Sequence, residues 1–477
     1  MQRRTRIVAT LGPATDRPGV LEALIDAGLN VVRINFSHGQ PADHVRRIRQ
    51  VRAVAGSRVV GVLADLPGPK LRVRLAQPIA LTVGQSLRLA MTDKLDELAA
   101  GEVGVTEPDC LRDVRPGHRL LLDDGRLQVE VLGTDSGGVT GRVLVGGTLE
   151  PDKGLNLPDT PLTIPNVTPR DHAALAVAAQ AGVDWVALSF VRKPEAADDL
   201  RAAARDAGLK GVAILAKIER PEAVAQSSAI IAAFDGVMIA RGDLGVEMPL
   251  ESVPLVQKQI IAQARALGRP VVTATDMLDS MRKNPRPTRA EAGDVANAIF
   301  DGTDAVMLSG ETSIGDYPLE AVACMDRIAR ETELYLSRAG LGRSPIVYPS
   351  EDPLPRTACE LAEQVQADAI VTPTLSGRTA RLLARYRPWM PIVAPVPNEL
   401  VARQLALLWG VYPVLLQPRT SGEDRLATAV RSAFQAGVIR AGQRVVVLAG
   451  HPMEDGPRLP TIRLVRVGAD GSSINPE

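Results

Sequence analysis

The chain has 477 residues, 55 acidic and 55 basic side chains, and a neutral isoelectric point. That balance argues against whole-molecule attraction to nucleic acid or an anionic membrane, and an aromatic content of 3% leaves little for base stacking. No apolar run approaches the roughly 18 residues of a spanning helix.

The amino terminus, "MQRRTRIVATLGPA", passes directly into a strand-like segment without a secretory apolar region. Cys110, Cys324 and Cys359 are far apart and lack CxxC spacing, as incidental thiols in a reducing compartment would be. The expected location is therefore cytoplasmic. The length predicts two to four domains.

Short β-branched runs alternate with amphipathic stretches, the pattern of parallel α/β architecture. Strands are predicted at 6–12, 30–37 and 58–66, then at 184–191, 212–219, 236–245, 270–278 and 305–311. Helices fit between them, as in "RPGVLEALIDAG" and "LVQKQIIAQARALG", with Gly28 and Gly268 where helix ends belong. Eight strand–helix units predict a (β/α)8 barrel over 1–68 and 166–338, with an open doubly wound sheet as the alternative. Residues 69–165 are richer in Gly, Val and Thr, with turn signals "DDG" and "SGG". They read as a small inserted β lid domain over the barrel's active face. From about 340, "GLGRSPIVYPSEDP" reads as a linker, and 339–477 as a C-terminal α/β domain.

Polar residues gather where the barrel strands end: Arg33, Asn35 and Ser37; Asp65; Ser189 and Arg192; Lys217 and Glu219; Arg241 and Asp243; Thr275; Ser309 and Glu311. Each pair alone is equally well read as a structural salt bridge. Their convergence on one rim points to a site. Glu219 and Asp243, with no His or Cys near them in sequence, suit Mg²⁺ or Mn²⁺ and leave coordination positions for phosphate and water. Lys217 lies two residues before Glu219, on the same strand face. With Arg33 it makes a cationic pocket suited to phosphoryl transfer. Gly242 in "ARGDLG" lets a backbone N–H approach a ligand carboxylate.

Only eight of the basic residues are lysines, so one in "ADLPGPKLR", Lys70, stands out. It can aim an ammonium at the same anion-binding pocket; the alternative is a surface lysine at a domain hinge. Lys94, Lys193 and Lys210 read as surface residues, and "VRRIRQVR" as a solvated helix face. His118, His172 and His451 read as surface or structural, whereas His38 in "NFSHG" shares a loop with Ser37. In the last domain, "TPTLSGRTARLLARYRP" reads either as an anion cradle or as an ordinary helix start capped by Thr374 or Ser376.

Several long motifs together, "VRINFSHG", "AKIERPE", "MIARGDLGVE", "TATDMLDSM", "NPRPTRAE", "DVANAI" and "MLSGETSIGDYPLEAV", closely resemble the pyruvate kinase family. "KGLNLP" and "TLSGRT" extend the likeness over nearly the whole chain. The resemblance implies a barrel, a β lid and an effector domain, and the reaction of phosphoenolpyruvate with ADP to give pyruvate and ATP. It makes Glu219 and Asp243 the Mg²⁺ (or Mn²⁺) ligands and Lys217 the stabiliser of the transferring phosphoryl group. Arg33 contacts phosphate, and Gly242, Asp243, Thr275 and Ser309 hold the substrate. Asn35, Phe36, Ser37, His38, Arg72 and Lys153 serve the nucleotide. A water near Thr275 is the expected proton donor to the enolate.

Thr374, Leu375, Ser376, Gly377, Arg378 and Thr379 would take the phosphate of an allosteric effector, a sugar bisphosphate, a sugar monophosphate or AMP. The family is usually tetrameric, so a homotetramer is expected. Many members read "DTKGPEIR" where this chain has "DLPGPKLR", and bind K⁺ through the equivalents of Asn35, Ser37 and Asp65 and through the Thr that Leu66 replaces. Lys70 then predicts an enzyme in which an ammonium substitutes for K⁺. Asp276 stands where many members have Gln. Two other readings remain: a Mg²⁺-dependent aldolase barrel needing no nucleotide, and a metabolite-binding protein without catalysis.

Overall fold

Eight parallel strands close on themselves in the order Arg6–Thr10, Ala305–Leu308, Val271–Ala274, Gly236–Ala240, Ala213–Ile218, Trp185–Leu188, Gly61–Asp65 and Val31–Asn35. The computed structural model describes residues 3–338, 353–418, 425–449 and 461–475. All eight predicted barrel strands are present and the closed barrel replaces the open-sheet alternative. Each is shorter than its predicted range. The strand predicted over 236–245 stops at Ala240, and "RGDLGVE" turns into a short helix, Arg241–Glu247. Arg241, Gly242 and Asp243 therefore stand on a helix at the rim.

Side chains along a strand alternate between faces. The outward set, including Ile7, Val32, Ile34, Val62, Ile214 and Ile239, packs beneath the surrounding helices. The inward set, Val8, Val31, Leu63, Trp185, Leu215, Met238, Val272 and Met307, fills the barrel. Helices end where the sequence placed its glycines, Gly28 at φ 110° and Gly268 at φ 64°.

The lid runs from Val73–Arg74 to Leu155–Asn156 as a seven-stranded sheet with a separate two-stranded ribbon. Its ends meet, with the Val73 N–H donating to Lys153 O (2.9 Å) and the Leu155 N–H to Leu71 O (3.0 Å). The lid has its own core of Leu87, Leu89, Val103, Leu120, Val129 and Val139.

The last domain is a six-stranded sheet in the order Val411–Leu415, Ile392–Val396, Ala369–Val371, Arg444–Ala449, Thr461–Val467 and Ser473–Ile474. Its Ala406 and Leu407 join the barrel's interior cluster, and Trp185, at the start of its strand, donates from Nε1 to Gln404 O at 3.2 Å. This domain thus plugs the barrel end opposite the lid. The expected linker at 340–353, apart from Pro353, and His451 lie outside the described residues.

Candidate active site

The inward apolar layer explains where the polar residues stand. Two residues beyond Val8, Val31, Leu63, Ala187, Leu215 and Met307 come Thr10, Arg33, Asp65, Ser189, Lys217 and Ser309. The same alternation that fills the barrel therefore points these groups into its mouth.

Asp65 is fully buried and ties two cations together. Arg33 Nε donates to its Oδ2 at 2.6 Å, and Lys217 Nζ lies 3.5 Å from its Oδ1. Lys217 also donates to Ser189 Oγ (2.7 Å) and lies 3.4 Å from Glu219 Oε2. Burial alone would lower the Lys217 pKa, but Asp65 and Glu219 outweigh it and raise it above the usual lysine range. Burial would likewise raise Asp65, yet Lys217 and Arg33 hold it below the carboxylate range. Both stay ionised at neutral pH. Arg33 is further oriented by NH1 donating to Thr10 Oγ1 at 3.0 Å.

Glu219 differs. Burial, with the repulsion of Asp243 added, exceeds the pull of Lys217 and raises its carboxyl to about 7. Its Oε1 accepts from the Phe190 N–H (2.6 Å), while its buried Oε2 has no hydrogen-bond partner. A buried carboxylate oxygen with no hydrogen bond, only the Lys217 ammonium 3.4 Å away, fits a bound cation. Asp243 stands beside it, and its Oδ1 takes Lys70 Nζ at 3.1 Å. Among the described residues no group of three or more His, Cys, Asp or Glu side chains forms a metal cluster. Two carboxylates with open positions suit Mg²⁺ or Mn²⁺ better than a metal that demands a full protein cage.

Thr275 has φ 75° and Asp276 φ 56°, costly for residues with a Cβ and especially for a β-branched threonine. Arg241 holds that turn. It donates to Thr275 O (2.7 Å) and Ala274 O (3.2 Å) and clasps Asp294 at 2.7 and 2.6 Å. A Cβ on Gly242 would lie 2.7 Å from Thr275 Cγ2, so the Gly242 backbone and Thr275 share one close corner.

Other rim residues are turned to structure. Arg192 donates to Ile164 O and to Asn166 Oδ1 (2.5 and 3.1 Å). Buried Glu311 accepts from the Leu278 and Ser309 N–H groups (3.1 and 2.7 Å).

Near the lid, Asn35 Oδ1 accepts the Ser37 N–H at 3.0 Å, and Phe36 packs inward with its ring 4.5 Å from that of His44. Burial and the charges of Arg72, Arg170, Lys70 and Arg33 lower the His38 pKa, a measure of how many cations face this loop. Arg72 donates to Asp152 O (2.7 Å), and Lys153 pairs with Asp123 at 2.8 Å. Lys70 makes its ion pair with Asp243, and its ammonium lies 5.9 Å from the Phe190 ring centroid. Of the remaining residues, Lys94 pairs with Glu97, and His118 Nδ1 bonds Thr160 Oγ1 at 2.9 Å. In the C-terminal loop, Thr374 Oγ1 accepts the Gly377 N–H (3.0 Å), and Gly377 (φ 78°) opens the short helix Arg378–Ala384.

Three contributors escaped the sequence reading. Thr10 carried a signal, a polar residue two beyond Val8. Phe190, at φ 56°, and Asp171, whose Oδ1 accepts the Gly68 N–H at 2.9 Å, carried none, because their roles arise from long-range contacts.

A buried, charged lysine and an arginine facing two carboxylates beneath a lid define a barrel-type phosphotransferase. Family models for the pyruvate kinase barrel domain and the pyruvate kinase alpha/beta domain match residues 2–322 and 354–464. A pyruvate kinase of Geobacillus stearothermophilus is 43% identical over 463 residues, covering 95% of this chain and 78% of that protein. Pyruvate kinase 2 of Synechocystis sp. is 44% identical over 461 residues, covering 94% of this chain and 77% of its own length. The pyruvate kinase of Clostridium acetobutylicum is 39% identical over 460 residues and is covered to 96%. This chain belongs to the pyruvate kinase family.

Proposed function

We propose that the chain transfers the phosphoryl group of phosphoenolpyruvate to ADP, giving pyruvate and ATP with Mg²⁺ or Mn²⁺ as cofactor. The observation that carries this reading is the buried Lys217 ammonium, kept charged by Asp65 and Glu219 in the mouth of the barrel. Glu219 and Asp243 would hold the metal. When bound, it supplies positive charge that neutralises phosphate and enolate oxygens.

Arg33 and Lys217 grip the phosphoryl oxygens, their geometry set beforehand by Asp65, Thr10 and Ser189. The Gly242 N–H, Asp243, Thr275 and Ser309 orient the substrate, and Asn35, Phe36, Ser37, His38, Arg72 and Lys153 form the nucleotide side. A β-phosphate oxygen of ADP attacks phosphorus in line with the departing enolate oxygen. The enolate carbon then takes a proton from a water held near Thr275.

Two further assignments belong to this reading. Lys70 takes the place of K⁺, supported by its ion pair in the site and by an Asp65 already paired with two cations. The 374–379 loop receives an effector phosphate on the domain opposite the lid. The division into 1–68 with 166–338, 69–165 and 339–477 is part of the proposal. So is a homotetramer, supported by exposed Leu250, Leu255, Phe300, Ile314 and Tyr335 on the barrel helices and adjoining turns.

The decisive experiment measures ATP formed from phosphoenolpyruvate and ADP with Mg²⁺. Lys217→Met should abolish turnover while leaving the melting temperature within a few degrees. Full activity of that variant would overturn the assignment, and aldol cleavage without nucleotide would favour an aldolase.

A further inference from the structure

Immediately behind the candidate metal pair lies a second, buried pair of opposite charge. Arg220 follows Glu219 directly, and Glu247 lies four residues after Asp243, one turn along the helix Arg241–Glu247. Arg220 NH1 is 3.2 Å from Glu247 Oε1, and the two residues are 3% and 4% exposed. This ion pair therefore braces the strand end that carries Glu219 against the helix that carries Asp243.

The lid closes the same knot. Asn156 Nδ2 donates to Glu247 Oε1 at 2.8 Å, and Arg220 NH2 donates to Leu157 O at 3.2 Å. Asn156 lies on the lid's return strand, whose Leu155 and Asn156 pair with Leu122 and Leu121. Glu222 holds the guanidinium from its other edge, with its two oxygens each 3.2 Å from Arg220. Four side chains and one carbonyl thus join lid, strand end and helix at one buried point.

A buried ion pair contributes little net stability over an apolar pair of similar size, because both charges must be desolvated. Its directional content is greater, since a fixed guanidinium fork specifies where both partners stand. Here the specified elements are those that carry Glu219 and Asp243.

We propose that Arg220 and Glu247 are positioning residues that couple seating of the lid to the spacing of the two metal ligands. The proposal rests on Glu219 and Asp243 holding the divalent cation. A lid pulled away would withdraw Asn156 and Leu157 O, leaving the ion pair under-satisfied and the carboxylates less well aligned. Metal affinity and lid closure then support each other, as reciprocal coupling requires.

The test is direct Mn²⁺ binding to the full chain, read from the electron paramagnetic resonance signal of free Mn²⁺. Groups behind a metal site typically change its affinity by about 10–100-fold. Glu247→Gln should weaken Mn²⁺ by about tenfold or more and raise the KM for Mg²⁺ further than it lowers kcat. Arg220→Lys should recover part of what Arg220→Ala loses. Asn156→Ala is the discriminating variant, because it sits in the lid and keeps the lid's own core. It should weaken Mn²⁺ several-fold alone and add little in combination with Glu247→Gln. Glu219→Gln serves as the control. If it weakens Mn²⁺ while Glu247→Gln and Asn156→Ala bind like wild type, the coupling is overturned and the metal site stands. If Glu219→Gln itself binds like wild type, the metal assignment falls and the coupling with it.

Discussion

Lys70 lies in the loop that leads into the lid, yet its Nζ stands 3.1 Å from Oδ1 of Asp243 on the far side of the barrel mouth. In the reading proposed above, this fixed positive charge takes the role of a recruited monovalent cation. Activity in tetramethylammonium buffers should therefore be near maximal, with little stimulation by K⁺. Lys70→Glu should lower kcat/KM by about a hundredfold, the lower end for removing an oriented charged donor. The low end applies because 32% of the side chain is exposed. Added K⁺ should restore only part, since Leu66 cannot supply a hydroxyl. Strong K⁺ stimulation of the wild type would refute the substitution.

Gly242→Ala tests the corner shared with Thr275. The added Cβ would fall 2.7 Å from Thr275 Cγ2, and Arg241 holds the Thr275 carbonyl. The conflict cannot be absorbed by a freely moving side chain. Overpacking of this kind costs about 1–3 kcal/mol. The expected outcome is a KM for phosphoenolpyruvate raised about tenfold or more, with a small drop in melting temperature. Unchanged kinetics would mean that this corner does not hold substrate.

Much of this site was legible because one rule served both core and function. Period-two alternation fills the barrel with Val31, Leu63 and Leu215 and then, one step further, presents Arg33, Asp65 and Lys217. The rule broke at "MIARGDLGVE", where alternation continues in the letters but the strand ends at Ala240 and a helix begins. It also could not say which polar group turns inward. Arg192 and Arg241 follow the ends of their strands, where Arg33 lies within its own, and spend their donors on Ile164 O, Asn166, Asp294 and the Thr275 turn. Such choices depend on partners tens of residues away, as does the 2.6 Å bond from the Phe190 N–H to Glu219.

Cys110 gives a pH-dependent test of the lid. Burial, with the charges of Glu107, Asp113 and Asp109, pushes its thiol up to about 12. A pKa raised in the folded state favours folding below the unfolded thiol's pKa of about 8.5, and that contribution is lost as pH rises towards 12. The native protein at pH 9 should therefore leave Cys110 unlabelled by iodoacetamide, while denatured protein labels fully. Rapid native labelling, located by peptide mass, would mean that the lid core opens on the labelling timescale.

Asp171 anchors the hinge from which Lys70 projects. Its Oδ2 accepts from the Thr168 N–H (2.8 Å) and hydroxyl (2.7 Å), and its own N–H donates to Thr168 Oγ1 (3.1 Å), completing a capping box. Its other oxygen accepts the Gly68 N–H at 2.9 Å. Gly68 has φ 63°, and a Cβ there would lie 2.7 Å from Ser189 O, so the loop is pressed against the strand end beside Lys217. Asp171→Ala should cost about 1–3 kcal/mol, because the buried Gly68 and Thr168 N–H groups lose their acceptor, lowering the melting temperature. It should also lower kcat/KM at temperatures where the variant is fully folded, because the loop carrying Lys70 loses its anchor. Asp171→Asn keeps one acceptor oxygen and should lie between. If Asp171→Ala loses stability but keeps wild-type kinetics well below its melting temperature, Asp171 completes a helix's capping box and has no bearing on the placement of Lys70.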